Sequence, residues 1–123
     1  MRILAPRVHR MLDFATVAAF ALAPSLLPLS GTAATLAYGL AVVHLALTLV
    51  TKFPGGSGFV ELPIHGVIEL IVGVALVLVP LVLGWSGAAR SFYVVAGIVI
   101  LAVWALTAYS DDGAVRPADG SVA

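Results

Sequence analysis

The sequence contains no cysteine and few charged residues. Of its 123 residues, 10% are charged and 62% are hydrophobic, whereas about a quarter of the residues in soluble domains are charged. The absence of cysteine excludes disulfides, thiolate metal ligands and cysteine nucleophiles. A soluble fold of this size could not cover so much apolar surface with so little polar material. The lipid bilayer is therefore predicted to be the main solvent and partner of this protein.

Excess positive charge and recognisable enzyme motifs are also missing. Six basic residues balance six acidic ones, so the formal net charge is zero, and no basic stripe offers a surface for nucleic acid. The sequence has no HExxH, glycine-rich phosphate loop or haem-attachment motif, and no pairing of a nucleophile with a base. We therefore expect neither a nucleic-acid partner nor an enzymatic activity.

Long apolar runs are the dominant positive feature of the chain. A helix needs about 20 apolar residues to cross a bilayer core about 30 Å thick, and four stretches reach that length. No stretch alternates apolar and polar residues as a membrane barrel requires. The predicted fold is an all-α membrane protein with four transmembrane helices as two helical hairpins, over residues 11–29, 32–50, 63–85 and 91–109.

The linkers and the basic residues suggest how these spans are arranged. Two short linkers, between the first and second spans and between the third and fourth, force the helices that they join to run antiparallel. The glycine-rich segment TKFPGGSGFVEL, between the second and third spans, is expected to be flexible. Only Arg90 lies on the side of the short linkers. Because basic residues favour the cytoplasmic side, both termini are predicted to be cytoplasmic. The opposite side holds Arg2, Arg7, Arg10, Lys52 and Arg116.

Two terminal segments need separate treatment. The first span has a basic flank and a small-residue segment after it, as signal peptides do. Its length, its internal Asp13 and its two prolines favour a retained transmembrane helix instead. The tail, 110–123, is polar and poor in large apolar residues, so it is predicted to be a disordered cytoplasmic tail.

The halves of the chain match when one is shifted by 56 residues. The match uses residue types that are otherwise uncommon here, so we interpret it as an internal repeat. It predicts one transmembrane domain, 1–109, with copies at 9–51 and 63–109, related by an axis along the membrane normal. The matched pairs are His9 with His65, Asp13 with Glu69, Pro24 with Pro80, Ser30-Gly31 with Ser86-Gly87, and Ala33 with Ala89.

The segments VPLVLGWSG, at 79–87, and APSLLPLSG, at 23–31, resemble the SPW-repeat membrane proteins of bacteria. That repeat has a Ser-Pro-Trp signature followed by a glycine and an aromatic residue. This chain keeps the two prolines, and Gly84-Trp85 in the second copy, but lacks the flanking Ser and Trp. The resemblance implies a multi-pass protein of the bacterial inner membrane, and it implies no activity and no functional residues.

Pro24 and Pro80 lie about a turn and a half before the ends of their predicted spans. A proline inside a helix cannot donate to the carbonyl four residues earlier, which bends or ends the helix. We therefore predict a structural kink at each position. A gating hinge is the less favoured alternative, because proline is common in membrane helices.

Ionisable residues inside the spans are the only chemical signal. A histidine precedes an acid by four residues in both copies, which places the pair on one helix face. Such groups are costly in a membrane, so they are expected to face the bundle interior. The candidate polar cluster comprises His9, Asp13, His44, His65 and Glu69.

Three interpretations of this cluster are open. The favoured one is a satisfied polar network that fixes helix packing in a structural or interaction component of the membrane. The second is an ion-handling transporter or sensor, in which the cluster relays protons or binds a transition metal such as Zn²⁺. The third is an intramembrane binding or catalytic site. Small residues that could pair helices, within the chain or in a homo-oligomer, are Ala15, Ala19, Ala23, Ala33, Ala37, Ala41, Gly66 and Gly73.

Overall fold

A computed structural model describes residues 2–109 and contains four helices in two antiparallel hairpins. In the first hairpin α1 packs mainly against α2, and in the second α3 packs mainly against α4. The predicted all-α class is confirmed for the described residues; the tail, 110–123, lies outside them. The helices are α1 (Pro6–Leu26), α2 (Gly31–Val50), α3 (Leu62–Val82) and α4 (Gly87–Leu106).

Three of the four helices, α2, α3 and α4, are long and apolar enough to cross a membrane. Helix α1 is equally long, with 21 residues, but its first half carries Arg7, Arg10 and Asp13. Those charges make α1 more polar than the other three helices. Its crossing of the membrane and the cytoplasmic orientation of the termini therefore stay predictions.

The predicted span boundaries are wrong at several helix ends. Helix α1 begins at Pro6, five residues before the predicted start, because proline suits the first turn of a helix. Helix α3 ends at Val82 instead of residue 85. Helix α4 covers Gly87–Leu106 instead of 91–109. At its end, Thr107 adopts an extended conformation and bridges to Leu4.

Both predicted kink positions lie inside helices. Pro24 is within α1 and Pro80 is within α3, and each helix ends two residues after its proline. Leu27 and Leu83 still donate to the carbonyls of the residues four positions earlier, at 2.8 and 2.9 Å. The prolines therefore mark equivalent positions next to the hairpin turns, and the bend itself stays a prediction.

The linker that was expected to be flexible contains a pair of short parallel strands. Strand β1 (Thr51–Lys52) follows α2 directly, and β2 (Val60–Glu61) precedes α3 directly. Gly58 allows this return of the chain, because a Cβ there would lie 2.5 Å from the Val50 carbonyl oxygen. Main-chain pairing therefore joins both ends of the linker, and the flexibility of the segment between them stays a prediction.

Matching contacts occur at positions 56 residues apart. Thr51 pairs with Val60, and Leu4 forms an isolated parallel bridge with Thr107. Leu4 plus 56 is Val60, and Thr51 plus 56 is Thr107. The second helix of each hairpin also starts at a glycine with positive φ, +52° at Gly31 and +57° at Gly87, a conformation that glycine adopts without steric cost.

The bundle has two chemically different ends. The end with the hairpin turns, here the turn end, has an apolar core that includes Phe20, Ala37, Leu76 and Tyr93. Tyr93 is fully buried, and its hydroxyl donates to the Ala33 carbonyl at 2.6 Å. The opposite end, here the terminal end, is formed by residues 2–5, 51–61 and 107–109. Its interior holds most of the buried polar side chains.

The alanines that were predicted to pair helices differ in burial between α1 and α2. Ala33, Ala37 and Ala41 are buried on α2, so this row of alanines packs inside the bundle. On α1, Ala23 is buried but Ala15 and Ala19 are exposed, because α1 turns His9, Asp13 and Phe20 inward instead. Gly73 and Gly97 bring α3 and α4 together closely, since a Cβ on Gly97 would lie 2.7 Å from the Gly73 carbonyl oxygen.

Candidate metal centre

The structure brings all five predicted ionisable side chains together inside the terminal end. His9 and Asp13 come from α1, His44 from α2, and His65 and Glu69 from α3; each is between 0% and 7% exposed. The two His–carboxylate pairs occupy equivalent positions in their helices. Because α1 starts at Pro6 and α3 at Leu62, each pair begins at the fourth residue of its helix.

The two His–carboxylate pairs interlock across the hairpins. His9 Nε2 lies 3.2 Å from Asp13 Oδ1 and 3.1 Å from Glu69 Oε2. His65 Nε2 lies 3.4 Å from Asp13 Oδ2 and 3.5 Å from Glu69 Oε1. The two Nε2 atoms are 3.4 Å apart. Each histidine therefore contacts the carboxylates of both helices, and all four groups share one centre.

Two threonines fix the outer side of these imidazoles. Thr107 Oγ1 lies 2.8 Å from His9 Nδ1, and Thr51 Oγ1 lies 2.7 Å from His65 Nδ1. Each threonine hydroxyl donates its one hydrogen to the carbonyl four residues earlier, at 2.6 Å in both cases. It therefore accepts a hydrogen bond from Nδ1–H. The hydrogen-bond network thus assigns a lone pair to Nε2 in each neutral imidazole.

Two neutral imidazoles in that tautomer would leave the centre short of positive charge. Two Nε2 lone pairs would then face one another and two carboxylates, in a place where all four side chains are at most 3% exposed. Buried carboxylates without a counter-charge cost several kcal/mol each. Protons on both Nε2 atoms would set two cationic N–H groups 3.4 Å apart. A single proton shared by the two Nε2 atoms, or a single metal ion bound by all four groups, supplies positive charge without this repulsion.

The donor atoms are close enough to bind one ion. His9, Asp13, His65 and Glu69 each offer one ligand atom, and these four atoms lie within 4.8 Å of one another, so the group could hold a metal ion. Two buried atoms of the cluster lack a hydrogen-bond partner among the described residues, Asp13 Oδ2 and His44 Nε2. Unpaired buried polar atoms are rare in folded proteins; Asp13 is one of the four candidate ligands, and His44 lies against them.

Two aromatic rings cover the cluster on its outer side. The Phe53 ring lies 5.9 Å from the His65 ring, centroid to centroid. The Tyr109 ring lies 5.7 Å from the His9 ring, and its hydroxyl donates to Glu69 Oε2 at 3.2 Å. Burial, assisted by the Glu69 carboxylate, raises the pKa of Tyr109 above its usual value, so the hydroxyl keeps its proton and remains a donor.

A polar cavity adjoins these two rings at the terminal end of the bundle. Its volume is about 470 Å³. The walls come from the linker, the start of α3 and the last described residue. Phe53 and Tyr109, which cover the cluster, therefore also line this cavity. Its lining residues are Lys52, Phe53, Pro54, Gly55, Glu61, Leu62, Pro63 and Tyr109.

Four residues of the site were missed from the sequence: Thr51, Thr107, Phe53 and Tyr109. A signal for them exists, because Thr51 and Thr107 are 56 residues apart, as are Phe53 and Tyr109. The offset that pairs the histidines therefore also pairs their hydrogen-bond partners and the covering rings. No family model, no curated protein and no solved structure matches this chain.

Proposed function

We propose that this chain is a four-span membrane protein that binds one divalent transition-metal ion between His9, Asp13, His65 and Glu69, and that it handles this ion as a transporter or sensor. The observation that carries the proposal is the closed set of four buried donors within 4.8 Å. Both imidazoles in that set present Nε2 to the centre and are held at Nδ1 by threonine. Metal-ligating histidines generally donate their other N–H in this way.

The donor spacing suits a small transition-metal ion. Zn²⁺ binds histidine nitrogen and carboxylate oxygen at about 2.0–2.2 Å, and the edge of a tetrahedron with that radius is about 3.3–3.6 Å. The shortest nitrogen–oxygen and nitrogen–nitrogen separations here are 3.1–3.5 Å, with each histidine meeting a different oxygen of each carboxylate. One donor atom from each residue gives a set that lies within 4.8 Å, so an ion of this size requires the four side chains to move closer together. Mixed imidazole and carboxylate ligands match Zn²⁺ or a related ion, such as Fe²⁺ or Mn²⁺.

Charge balance supports the same proposal. Asp13 and Glu69 together carry two negative charges, and a divalent ion cancels them. Net charge inside a membrane protein is costly, so groups of this kind are paired or serve a pathway. A neutral centre of one ion and two carboxylates is therefore more stable in this bundle than the two carboxylates alone.

The membrane placement rests on the apolar helices and the basic residues. Many exposed side chains of the helices are large and apolar, among them Val42, Ile71 and Val82, which are 69%, 64% and 80% exposed. Exposed apolar surface on this scale indicates contact with lipid or a protein partner. Because Arg2, Arg7, Arg10 and Lys52 flank the terminal end, we place that end, the metal centre and both termini on the cytoplasmic side of a bacterial inner membrane.

Two further elements of the proposal concern ancestry. The matched contacts at positions 56 apart support two hairpins that are copies of one element. The resemblance to SPW-repeat proteins remains a proposal on the motif residues, with Pro24, Pro80 and Gly84-Trp85 as its basis. Neither element adds a substrate or a catalytic residue.

A structural role is the second candidate, and the cross-hairpin contacts favour it. Two contacts join α1 to α3, that of His9 with Glu69 and that of His65 with Asp13. The other contacts between these two helices are sparse. Under this account the cluster docks the two hairpins through hydrogen bonds alone. Exposed alanines on α1 then suggest assembly with a second copy or another membrane protein.

Metal analysis of the gently solubilised protein tests the proposal. The wild-type chain should bind about one Zn²⁺ or related ion per chain after chelation and reloading. Glu69→Gln and His65→Ala should lose that ion, since each removes one of four ligands. Glu61→Gln is the matched control, because Glu61 is exposed at the start of the same helix.

The structural candidate gives a different result. Glu69→Gln would then lower the melting temperature in detergent. Treating the wild-type protein with a chelator would leave its melting temperature unchanged. A wild-type protein that binds neither Zn²⁺, Fe²⁺ nor Mn²⁺ would overturn the metal proposal.

A further inference from the structure

The proposed metal centre is nearly symmetric, and His44 breaks its symmetry. The ligands, the threonines and the covering rings form pairs 56 residues apart. His44 plus 56 is Ile100, an apolar residue that is 4% exposed in the core. One hairpin therefore supplies a third imidazole at a position where the other supplies a hydrocarbon side chain.

His44 is buried against the centre and has an unused nitrogen. The residue is 7% exposed. Its Nε2 has no hydrogen-bond partner among the described residues, yet it lies 3.5 Å from Asp13 Oδ1 and 4.0 Å from Glu69 Oε1. Its nearest polar neighbours are thus two of the proposed ligands.

The surroundings of His44 offer no other polar partner on its open side. A small cavity of about 30 Å³ adjoins it between α2 and α3, room for about one or two waters. Besides His44 and Glu69, every lining residue is aliphatic. The aliphatic wall comprises Leu40, Val43, Leu47, Ile68, Val72 and Ile100.

We propose that His44 is a fifth ligand of the metal centre and that it sets which metal the centre prefers. This inference rests on the proposed metal-binding function. With His44 the ligand set has three imidazoles and two carboxylates; without it the set has two of each. Imidazole favours Zn²⁺, Fe²⁺, Co²⁺ and Ni²⁺, whereas Mn²⁺ and Mg²⁺ favour oxygen ligands. The third imidazole therefore increases discrimination in favour of the nitrogen-preferring ions.

The substitution His44→Ile tests this proposal, because isoleucine is the residue at the equivalent position of the second hairpin. The variant should still bind about one ion per chain through the other four ligands. Its Zn²⁺ affinity should fall at least about tenfold, since losing an outer-shell partner alone costs 10- to 100-fold. Its Mn²⁺ affinity should fall less. Competition titrations with Zn²⁺ and Mn²⁺ measure the ratio of the two affinities, which should be smaller in the variant than in the wild type.

Co²⁺ substitution gives a readout that a packing role would not change. The absorption spectrum of the Co²⁺-loaded wild type should indicate five ligands, and that of His44→Ile should show the stronger bands of a four-coordinate ion. Leu40→Ile is the control, because Leu40 lines the same cavity and offers no ligand. It should keep the wild-type spectrum and metal ratio.

The outcomes separate the two proposals. Failure of the wild type to bind any of these ions overturns the metal centre itself. Stoichiometric binding with an unchanged Co²⁺ spectrum and metal ratio in His44→Ile overturns only the fifth ligand. If His44→Ile does not fold, the wild-type Co²⁺ spectrum decides, and a four-coordinate spectrum there overturns the role of His44.

Discussion

Thr51 and Thr107 determine which ring nitrogen of their histidine partners carries the proton in the neutral imidazole. Neither residue is ionisable. Each accepts a hydrogen bond from the Nδ1–H of one histidine and donates one through its hydroxyl to a main-chain carbonyl. A serine or threonine free to rotate could have donated to Nδ1 and left Nε2 protonated. The helix carbonyl removes that choice, so each imidazole, when neutral, presents an Nε2 lone pair to the centre.

Replacing these threonines by valine tests that function. Thr51→Val or Thr107→Val keeps the shape of the side chain and removes the acceptor of the imidazole N–H. Metal affinity should fall about 10- to 100-fold for each variant, as for other outer-shell partners. Thr35→Val is the control, because the Thr35 hydroxyl donates to the Gly31 carbonyl at 3.1 Å on an exposed face. Equal affinity in all three variants would contradict the assigned tautomer.

At the scale of elements, the ends of the helices matter more than their middles. Proline at the second residue of α3, and at the first of α1, sets where each histidine lies relative to the bundle end. The segments beyond α2 and α4 are extended and pair with β2 and with Leu4. This pairing holds Thr51 and Thr107 over the histidines, and it places the Phe53 and Tyr109 rings outside them.

Tyr109 approaches the cluster because Gly66 has no side chain. A Cβ on Gly66 would lie 2.7 Å from Tyr109 Cε1, so Gly66→Ala should displace the ring and break the hydroxyl contact with Glu69. We expect a bound metal ion to dissociate faster by about tenfold or more, because one charge-assisted hydrogen bond of about 1.5–3 kcal/mol is lost with the covering ring.

The rate of metal extraction by a chelator measures this effect. The control is Gly39→Ala in α2, where an added Cβ meets no atom within 4 Å. That variant should release metal at the wild-type rate. An unchanged rate in Gly66→Ala, with one bound ion per chain, would show that Tyr109 does not restrict access to the centre.

At the scale of the whole molecule, polar and apolar functions are separated along the bundle axis. The turn end packs Phe20, Leu76 and Tyr93 against the alanines of α2, whereas the terminal end holds the buried ionisable groups. The apolar end contributes stability through packing, and the polar end contributes the site. The basic residues flank the polar end, so orientation in the membrane also determines which compartment the centre faces.

A reporter fused after the last residue tests that orientation. Among the described residues, four basic side chains flank the terminal end, namely Arg2, Arg7, Arg10 and Lys52, and Arg90 alone lies at the other, so the reporter should be on the cytoplasmic side. Removing positive charge from the terminal end should weaken its preference for the cytoplasmic side. The double variant Arg7→Gln with Arg10→Gln removes two positive charges, whereas the control Lys52→Arg keeps the charge. A periplasmic reporter in the wild type would overturn the proposed topology and place the metal centre on the other side.

The helical class, the faces of α1 and α3 that carry the His–carboxylate pairs, and the spacing between the halves could all be predicted from the sequence. Those properties follow from local periodicity and length: apolar runs of about 20 residues, and a histidine four residues before an acid. The pairing of His9 with His65 was readable for the same reason, as an offset in the chain.

The way in which these groups meet depends on tertiary packing. The 3.4 Å between the two Nε2 atoms and the approach of His44 depend on how α1, α2 and α3 are rotated and packed, which no local pattern encodes. The parallel pairing of residues distant in the chain brought Thr107 to His9, and the missing side chain at Gly66 let Tyr109 reach Glu69. Contacts of this kind arise between elements, so the composition of the cluster was predictable and its geometry was not.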